Sequence, residues 1–215
     1  MAGYRGRSLL TIVVAIILLL LISISFFDGR LSGGCTFIPP SSSDSSDSSS
    51  PDEHLKGDAK LERIFLKGNR LQGGSMVDFT NEEVVDFTGP TDENLFGIYD
   101  GEVIVPGNKY EATMRLTNTG DLTLDYWMEV RMVGGIYLAL ADQLKVTVKV
   151  GDKEVSAPVS VGIPLGDERN PIGKVLVDQS VTFTVTVEFI DHVDNNLAQG
   201  QTVEFDLFVF TVESV

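Results

Sequence analysis

Two runs of alternating apolar and polar residues, one on each side of a polar loop, constrain the fold of this chain most. Between Val181 and Phe189 every second residue is apolar, and the residues between them are three threonines and a glutamate. Successive side chains on a strand point to opposite faces, so this period of two predicts a half-buried β-strand. The second run begins at Val203 with the same period, but both of its faces are apolar from Leu207 to Phe210. We therefore predict a closing β-hairpin whose last strand is covered on both faces, by its own domain or by another chain.

Further alternating runs upstream predict that residues 59–215 form one all-β domain, a single antiparallel β-sandwich. Runs of strand length are separated by Gly, Asn and Asp clusters, and no stretch keeps a period of 3.6 residues. The sequence Asn118-Thr119-Gly120-Asp121 predicts a tight hairpin between the runs that start at Tyr110 and Leu122. Only Ile136 to Gln143 could form a turn or two of helix.

Residues 1–30 have the features of a signal peptide or a membrane anchor. Arg5 and Arg7 precede an almost unbroken apolar run from Ser8 to Phe27, and about 20 apolar residues suffice to span a bilayer as a helix. The arginines predict a cytoplasmic N-terminus and export of everything that follows the run. The protein should therefore lie at the cell surface or outside the cell, at least transiently anchored. Cleavage of the segment stays open, because ordinary signal peptides have apolar regions about half as long.

Residues 31–58 have the composition of a disordered stalk. Pro39 to Pro51 consists almost entirely of proline, serine and aspartate, which leaves little that a fold could bury. Its serines are candidate O-glycosylation sites. Cys35 follows Leu31-Ser32-Gly33-Gly34, which resembles the lipobox of bacterial lipoproteins, so Cys35 is a candidate for lipidation. The alternative is a free thiol, since a single cysteine excludes an intramolecular disulfide.

The sequence offers no support for catalysis, a resident cofactor or nucleic-acid binding. The formal charge is −15, from 16 Lys and Arg against 31 Asp and Glu, whereas phosphate contacts require clustered cations. Neither of the 2 histidines has a partner at catalytic or metal-ligand spacing. We therefore expect that the protein is not an enzyme. The loop residues Asp191, Asp194 and Asn195 supply oxygen atoms that could hold Ca²⁺, and the alternative is an ordinary polar loop.

The order of features resembles the TasA/camelysin family of exported, filament-forming matrix proteins. Besides the export segment, the resemblance is carried by Leu71–Phe79, by Val105-Pro106-Gly107-Asn108 leading into Leu116–Leu122, and by Val181–Phe189 followed by Ala198–Thr202. It implies a jelly-roll-like sandwich whose subunits polymerise by donor-strand complementation, each giving an N-terminal strand to a neighbour. Related archaeal bundling pili are built similarly. The partner would then be a second copy of this chain.

A short run at the start of the domain, Leu61 to Leu66, is the predicted donor strand, and the alternative is an ordinary first strand of the sandwich. Leu61, Ile64, Phe65 and Leu66 form this run, and Gly68 and Gly73-Gly74 separate it from the next one. In strand addition, main-chain hydrogen bonds supply affinity and apolar side chains fill pockets of the acceptor. The leading function is thus a structural subunit of a cell-surface filament or biofilm matrix. Two alternatives stay open: a membrane-tethered monomeric binding module associated with an S-layer, archaellum or pilus, and a type IV pilin-like subunit.

Overall fold

The computed structural model describes residues 30–38, 58–89, 93–98, 102–135, 138–191 and 195–214. The regular structure in this part of the chain is mostly β-sheet with almost no helix, which confirms the predicted all-β fold class. Its elements, in chain order, are β1 (Arg30–Ile38), β2 (Ala59–Gln72), β3 (Ser75–Asn81), β4 (Val85–Asp86), β5 (Lys109–Asn118), β6 (Leu124–Gly135), α1 (Leu138–Gln143), β7 (Leu144–Val150), β8 (Lys153–Pro158), β9 (Ile163–Leu165), β10 (Gly173–Val175), β11 (Ser180–Phe189), a 3₁₀ turn (Asn195–Ala198) and β12 (Thr202–Glu213).

These strands form two sheets that pack face to face. The first sheet has the order β1-β12-β6-β10, with β9 also paired to β6, and the second has the order β3-β2-β5-β11-β7-β8, with β4 also paired to β2. Among the described strands every pairing is antiparallel except that of β1 with β12, which is parallel. The prediction of antiparallel sheets is therefore correct for every described pairing except the one between β1 and β12.

Alternate residues of the facing strands build the core. Phe183, Val185 and Val187 of β11 are buried, and so are Val203, Phe205, Leu207 and Val209 of β12 in the other sheet. These side chains belong to one continuous apolar cluster. Burying each side chain of this size contributes about 1.5–3 kcal/mol relative to leaving it exposed. The period of two in both runs is thus explained by burial of one face against the opposite sheet.

The two predicted hairpins, however, are wrong. β5 pairs with β2 and β11 in one sheet while β6 pairs with β12 in the other, and β11 and β12 are likewise in different sheets. Buried Asn118 holds the first of these crossings: its side-chain amide donates to the carbonyls of Leu122 at 2.7 Å and Val175 at 3.0 Å, and its Oδ1 accepts from the Gly120 N–H at 3.0 Å. The same turn residues therefore carry the chain from one sheet to the other instead of reversing it within one sheet.

Two boundaries also differ from the sequence-based expectation. Residues 31–38, assigned by composition to the stalk, form β1 instead. β2 spans Ala59–Gln72 and is not a short run that ends before Gly68. Gly68 lies within this strand. The position requires glycine because a Cβ there would stand 2.6 Å from the Lys109 carbonyl oxygen and 3.0 Å from the Phe79 ring. The glycine permits a close approach of strands and does not end one.

We expect Gly68→Ala to lower the free energy of unfolding by about 1–3 kcal/mol, because β5 and the Phe79 ring must move to admit the methyl group. Gly89→Ala is the matched control, since a Cβ at that position meets no heavy atom within 4 Å. Urea unfolding of the two variants checks this. Equal losses would show that close approach is not what requires glycine at position 68.

Candidate assembly site at the edge of β12

The candidate site is the edge of β12 that does not pair with β6. β1 lies along this edge in an unbroken parallel register, from Arg30 opposite Thr202 to Ile38 opposite Phe210. The other edge of β12 pairs with β6 from Val203 to Glu213. Without β1, a long row of backbone N–H and C=O groups would be unpaired, and such an edge is a template for another chain.

β1 is the edge strand of its sheet and the first of the described strands in the chain. Parallel neighbours need a crossover connection, and here the whole remainder of the domain lies between β1 and β12 along the chain. Residues 39–57 connect β1 to β2, and fully extended they would reach about 65 Å. That length allows β1 to pair with β12 of its own subunit or of a neighbour.

A row of aromatic rings lies on the outer face of the same sheet. The Phe210 ring stacks on Trp127 with centroids 5.3 Å apart and planes 3° apart, and the Phe208 and Phe210 centroids are 6.3 Å apart. The guanidinium carbon of Arg131 lies 4.0 Å from the Phe208 centroid. Aromatic pairs of this kind add about 0.5–1.5 kcal/mol beyond area burial. The outer cover predicted for this stretch therefore comes from β6 of the same domain, and the rings stay partly exposed.

The residues predicted to form the donor strand all lie in β2, inside the second sheet. Leu61 and Leu66 are buried in the core, and Ile64 and Phe65 are partly buried. β2 pairs with β5 on one side and with β3 and β4 on the other. Removing β2 would therefore divide its sheet, whereas removing β1 would only uncover an edge.

Two charged residues at a bulge tie β2 further into the domain. Arg63, 3% exposed, donates through one guanidinium nitrogen to the carbonyls of Asn94 at 2.7 Å and Leu95 at 3.0 Å. Its neighbour Glu62 is also buried, and its carboxylate binds Arg115 at 2.7 Å and Lys60 at 2.8 Å. The register shifts between Arg63 and Phe65, which interrupts the alternation of sides along the strand. No alternation pattern identified these contacts, because the bulge breaks the period of two.

Hydrogen bonding to Lys60, and then to Arg115, lowers the pKa of the Glu62 carboxyl below its usual value. A folded-state pKa below the unfolded one contributes stability that is present above the unfolded value, about 4.3, and is lost as the pH falls through the folded value. We expect Glu62→Gln to cost about 1 kcal/mol at pH 7, since both cations are half-exposed.

The loss in Glu62→Gln should shrink as the pH falls below about 4, where the wild-type carboxyl also becomes neutral. Unfolding measured at pH 7 and pH 3 tests this, with Glu154→Gln on the exposed face of β8 as control. A pH-independent loss would contradict this role of the Glu62 charge.

The structure gives positions for all but one of the remaining predicted site residues, those for lipidation and for Ca²⁺ binding. Cys35 lies in β1 opposite Leu207, and its lipidation stays a prediction. Asp191 is exposed after β11, Asn195 opens the 3₁₀ turn, and Asp194 is outside the described residues. Within the described ranges, no group of three His, Cys, Asp or Glu side chains could hold a metal ion, so the Ca²⁺ site also stays a prediction.

The predicted membrane segment, Ser8 to Phe27, lies outside the described residues. Among the helices that the structure does describe, none is long and apolar enough to cross a bilayer. A scan against protein-family models and a search of curated proteins gave no match to this chain. Membership of the TasA/camelysin family therefore stays a prediction based on the motifs given above.

Proposed function

We propose that this protein is an exported structural subunit of a cell-surface filament or matrix, and that its subunits join by exchanging β1. The observation that carries the proposal is the parallel pairing of β1, Arg30–Ile38, with the edge of β12 that β6 does not cover. Such a pairing supplies affinity through main-chain hydrogen bonds, which is how strand-donating partners bind sheet edges.

An exchanged β1 would make the same contacts with a neighbour as it makes with its own domain. Each subunit then offers a strand at one place and an edge at another, and this heterologous contact does not close on itself. Repetition produces a fibre. Residues 39–57 can reach about 65 Å, which exceeds the length of about 40 Å of the 12-residue strand β12, so β1 can extend beyond its own domain.

We assign the exchanged strand to β1 and not to Leu61, Ile64, Phe65 and Leu66. β2 is paired on both sides, and Arg63 within it binds the carbonyls of Asn94 and Leu95. Leaving the sheet would break all of these contacts. β1, by contrast, is paired on one side in the described structure.

The remaining features agree with an exported subunit that is not an enzyme. The apolar run Ser8 to Phe27 would direct export and hold the chain at the membrane before assembly. The sandwich would have the jelly-roll-like form that the family resemblance implies. Its partners would be copies of itself and the lipid bilayer, and its acidic composition disfavours nucleic acid.

One observation favours a second function, a membrane-tethered binding module that stays monomeric. Within a single chain, β1 already occupies the edge of β12. A subunit closed in this way offers no vacant edge to a neighbour. The two functions therefore differ in whether β1 leaves its own domain.

Removal of detergent from the purified full chain, followed by negative-stain microscopy and light scattering, tests the proposal. We expect filaments of uniform width. Monodisperse monomers over a range of concentrations would contradict the filament function and favour the tethered module.

A further inference from the structure

One end of the sandwich holds both the start of β1 and a group of exposed apolar side chains. β6 and β11 finish at this end, and β7 and β12 begin there, since Gly135 pairs with Val203 and Phe189 pairs with Leu144. Arg30 opposite Thr202 places the start of β1 at the same end. We call it the α1 end, because α1 connects β6 to β7 there.

Apolar side chains project from several elements at the α1 end. Leu197 of the 3₁₀ turn is 65% exposed, and Val161, after β8, is 74% exposed. The Ser160 N–H next to Val161 donates to the Ala141 carbonyl of α1 at 3.3 Å, which fixes its place. Exposed Ile190 follows β11, and its N–H donates to the Gln143 carbonyl at 3.0 Å. Isolated exposed apolar residues are common, but a group at one end marks a contact surface.

The β2–β3 hairpin adds to this surface. β5 pairs with β2 only as far as Gly68, opposite Tyr110, whereas β2 and β3 stay paired to Gln72 and Ser75. The hairpin therefore extends past the start of β5 at the α1 end. Its tip carries exposed Leu71, Met76 and Val77.

The chain itself indicates what covers the α1 end. Only Asp28 and Gly29 separate the apolar run ending at Phe27 from Arg30. If that run spans the bilayer and β1 pairs with its own β12, about 10 Å of extended chain separates the α1 end from the membrane. We propose that the α1 end rests on the lipid surface, with its apolar side chains in the headgroup region. This inference rests on the membrane anchoring in the proposed function.

The end of β1 and the start of β2 both lie away from the α1 end, which agrees with this orientation. Ile38, at the end of β1, pairs with Phe210 toward the opposite end of the sandwich. Asp58 is also at the opposite end, where its carbonyl accepts from the N–H groups of Thr119 at 3.0 Å and Gly120 at 3.1 Å. Since β1 lies between the membrane run and residues 39–57, the Ser/Asp segment does not hold the domain away from the bilayer in this state.

Charges at the α1 end determine which lipid it contacts. Asp142 and Asp191 are exposed there, and so are Lys109 at the start of β5 and Lys145 near the start of β7, so the exposed charges include both signs and do not favour anionic headgroups. The contact is therefore apolar, of the kind by which amphipathic surfaces enter the headgroup boundary, and it should form on neutral lipid and persist in salt.

The test uses the full chain with Cys35→Ser and one new cysteine, Leu197→Cys or Leu71→Cys, labelled with an environment-sensitive fluorophore. Leu176→Cys is the matched control, because Leu176 is 58% exposed and follows β10, which starts opposite Tyr126 and ends opposite Leu124 at the far end of β6. The chains are reconstituted into phosphatidylcholine vesicles with and without nitroxide-bearing lipids. We expect several-fold stronger quenching at positions 197 and 71 than at position 176, unchanged by salt.

Equal quenching at all three positions, in chains that float with the vesicles, overturns the lipid contact and leaves the proposed function standing. Chains that do not float with the vesicles overturn the lipid contact and the membrane anchoring on which it rests, whereas the filament function is decided by the assembly test given above. Energy transfer between copies labelled at position 197, without lipid quenching, overturns the lipid contact and shows that the α1 end joins copies of the chain.

Discussion

Replacing Cys35 and Thr36 together by proline should abolish filament formation and leave the rest of the domain folded. Along a parallel strand, alternate residues direct their backbone bonds to the neighbouring strand, so two consecutive prolines include one such residue in either register. Proline removes the N–H donor, and its ring restricts the backbone of the strand. Negative-stain microscopy of the variant, under conditions in which the wild type assembles, gives the result directly.

Ser42→Pro with Ser43→Pro is the matched control, since it introduces the same two prolines between β1 and β2. It should assemble like the wild type. A synthetic peptide with the sequence of residues 30–38 should raise the Tm of the Cys35→Pro, Thr36→Pro variant without restoring filaments, because the peptide fills the edge but links no second domain. Normal filaments from this variant would show that β1 is not the strand that joins subunits.

Replacing Arg63 by methionine should lower the free energy of unfolding by about 2–4 kcal/mol. The change keeps most of the side-chain volume but leaves the carbonyls of Asn94 and Leu95 without their buried donor. It also removes the guanidinium carbon that lies 5.9 Å from the centroid of the Phe87 ring. Urea unfolding measures the total loss, and amide hydrogen exchange should show residues 93–98 opening first.

Arg115→Met provides the comparison for Arg63, because the Arg115 side chain is 40% exposed and its contact with Glu62 reaches solvent on the Arg115 side. Its loss should be about 1 kcal/mol or less. If both variants lose the same amount, burial of Arg63 beneath residues 93–98 does not carry the stability assigned to it.

The alternation of apolar and polar residues predicts which segments form strands and which face of each strand is buried. It does not predict which sheet a strand joins. Val181–Phe189 and the run from Val203 have the expected buried faces. Asn118-Thr119-Gly120-Asp121 has the residues of a hairpin turn, yet the hydrogen bonds of Asn118 to Leu122 and Val175 hold a crossing. Local turn chemistry is the same in both cases, and long-range pairing decides between them.

The candidate site was harder to predict than the core. Cys35-Thr36-Phe37-Ile38 is a short strand-forming run, but Gly33-Gly34 before it and Pro39-Pro40 after it favour a linker on composition. The strand forms because the long edge of β12 offers backbone partners, which composition does not show. In the same way, Gly68 suggested the end of a strand. The structure places it inside β2, where the close approach of Lys109 and Phe79 leaves no room for a side chain.

Filaments grown from an equal mixture of ¹⁵N-labelled and ¹³C-labelled subunits test the exchange of β1 most directly. In such filaments a ¹⁵N–¹³C contact between neighbouring strands arises only across two different chains. We predict solid-state NMR cross-peaks between β1 amides and β12 carbons, centred on Cys35 opposite Leu207. If those cross-peaks are absent from the mixed filaments and present only when each subunit carries both labels, β1 stays on its own domain and strand exchange does not build the polymer.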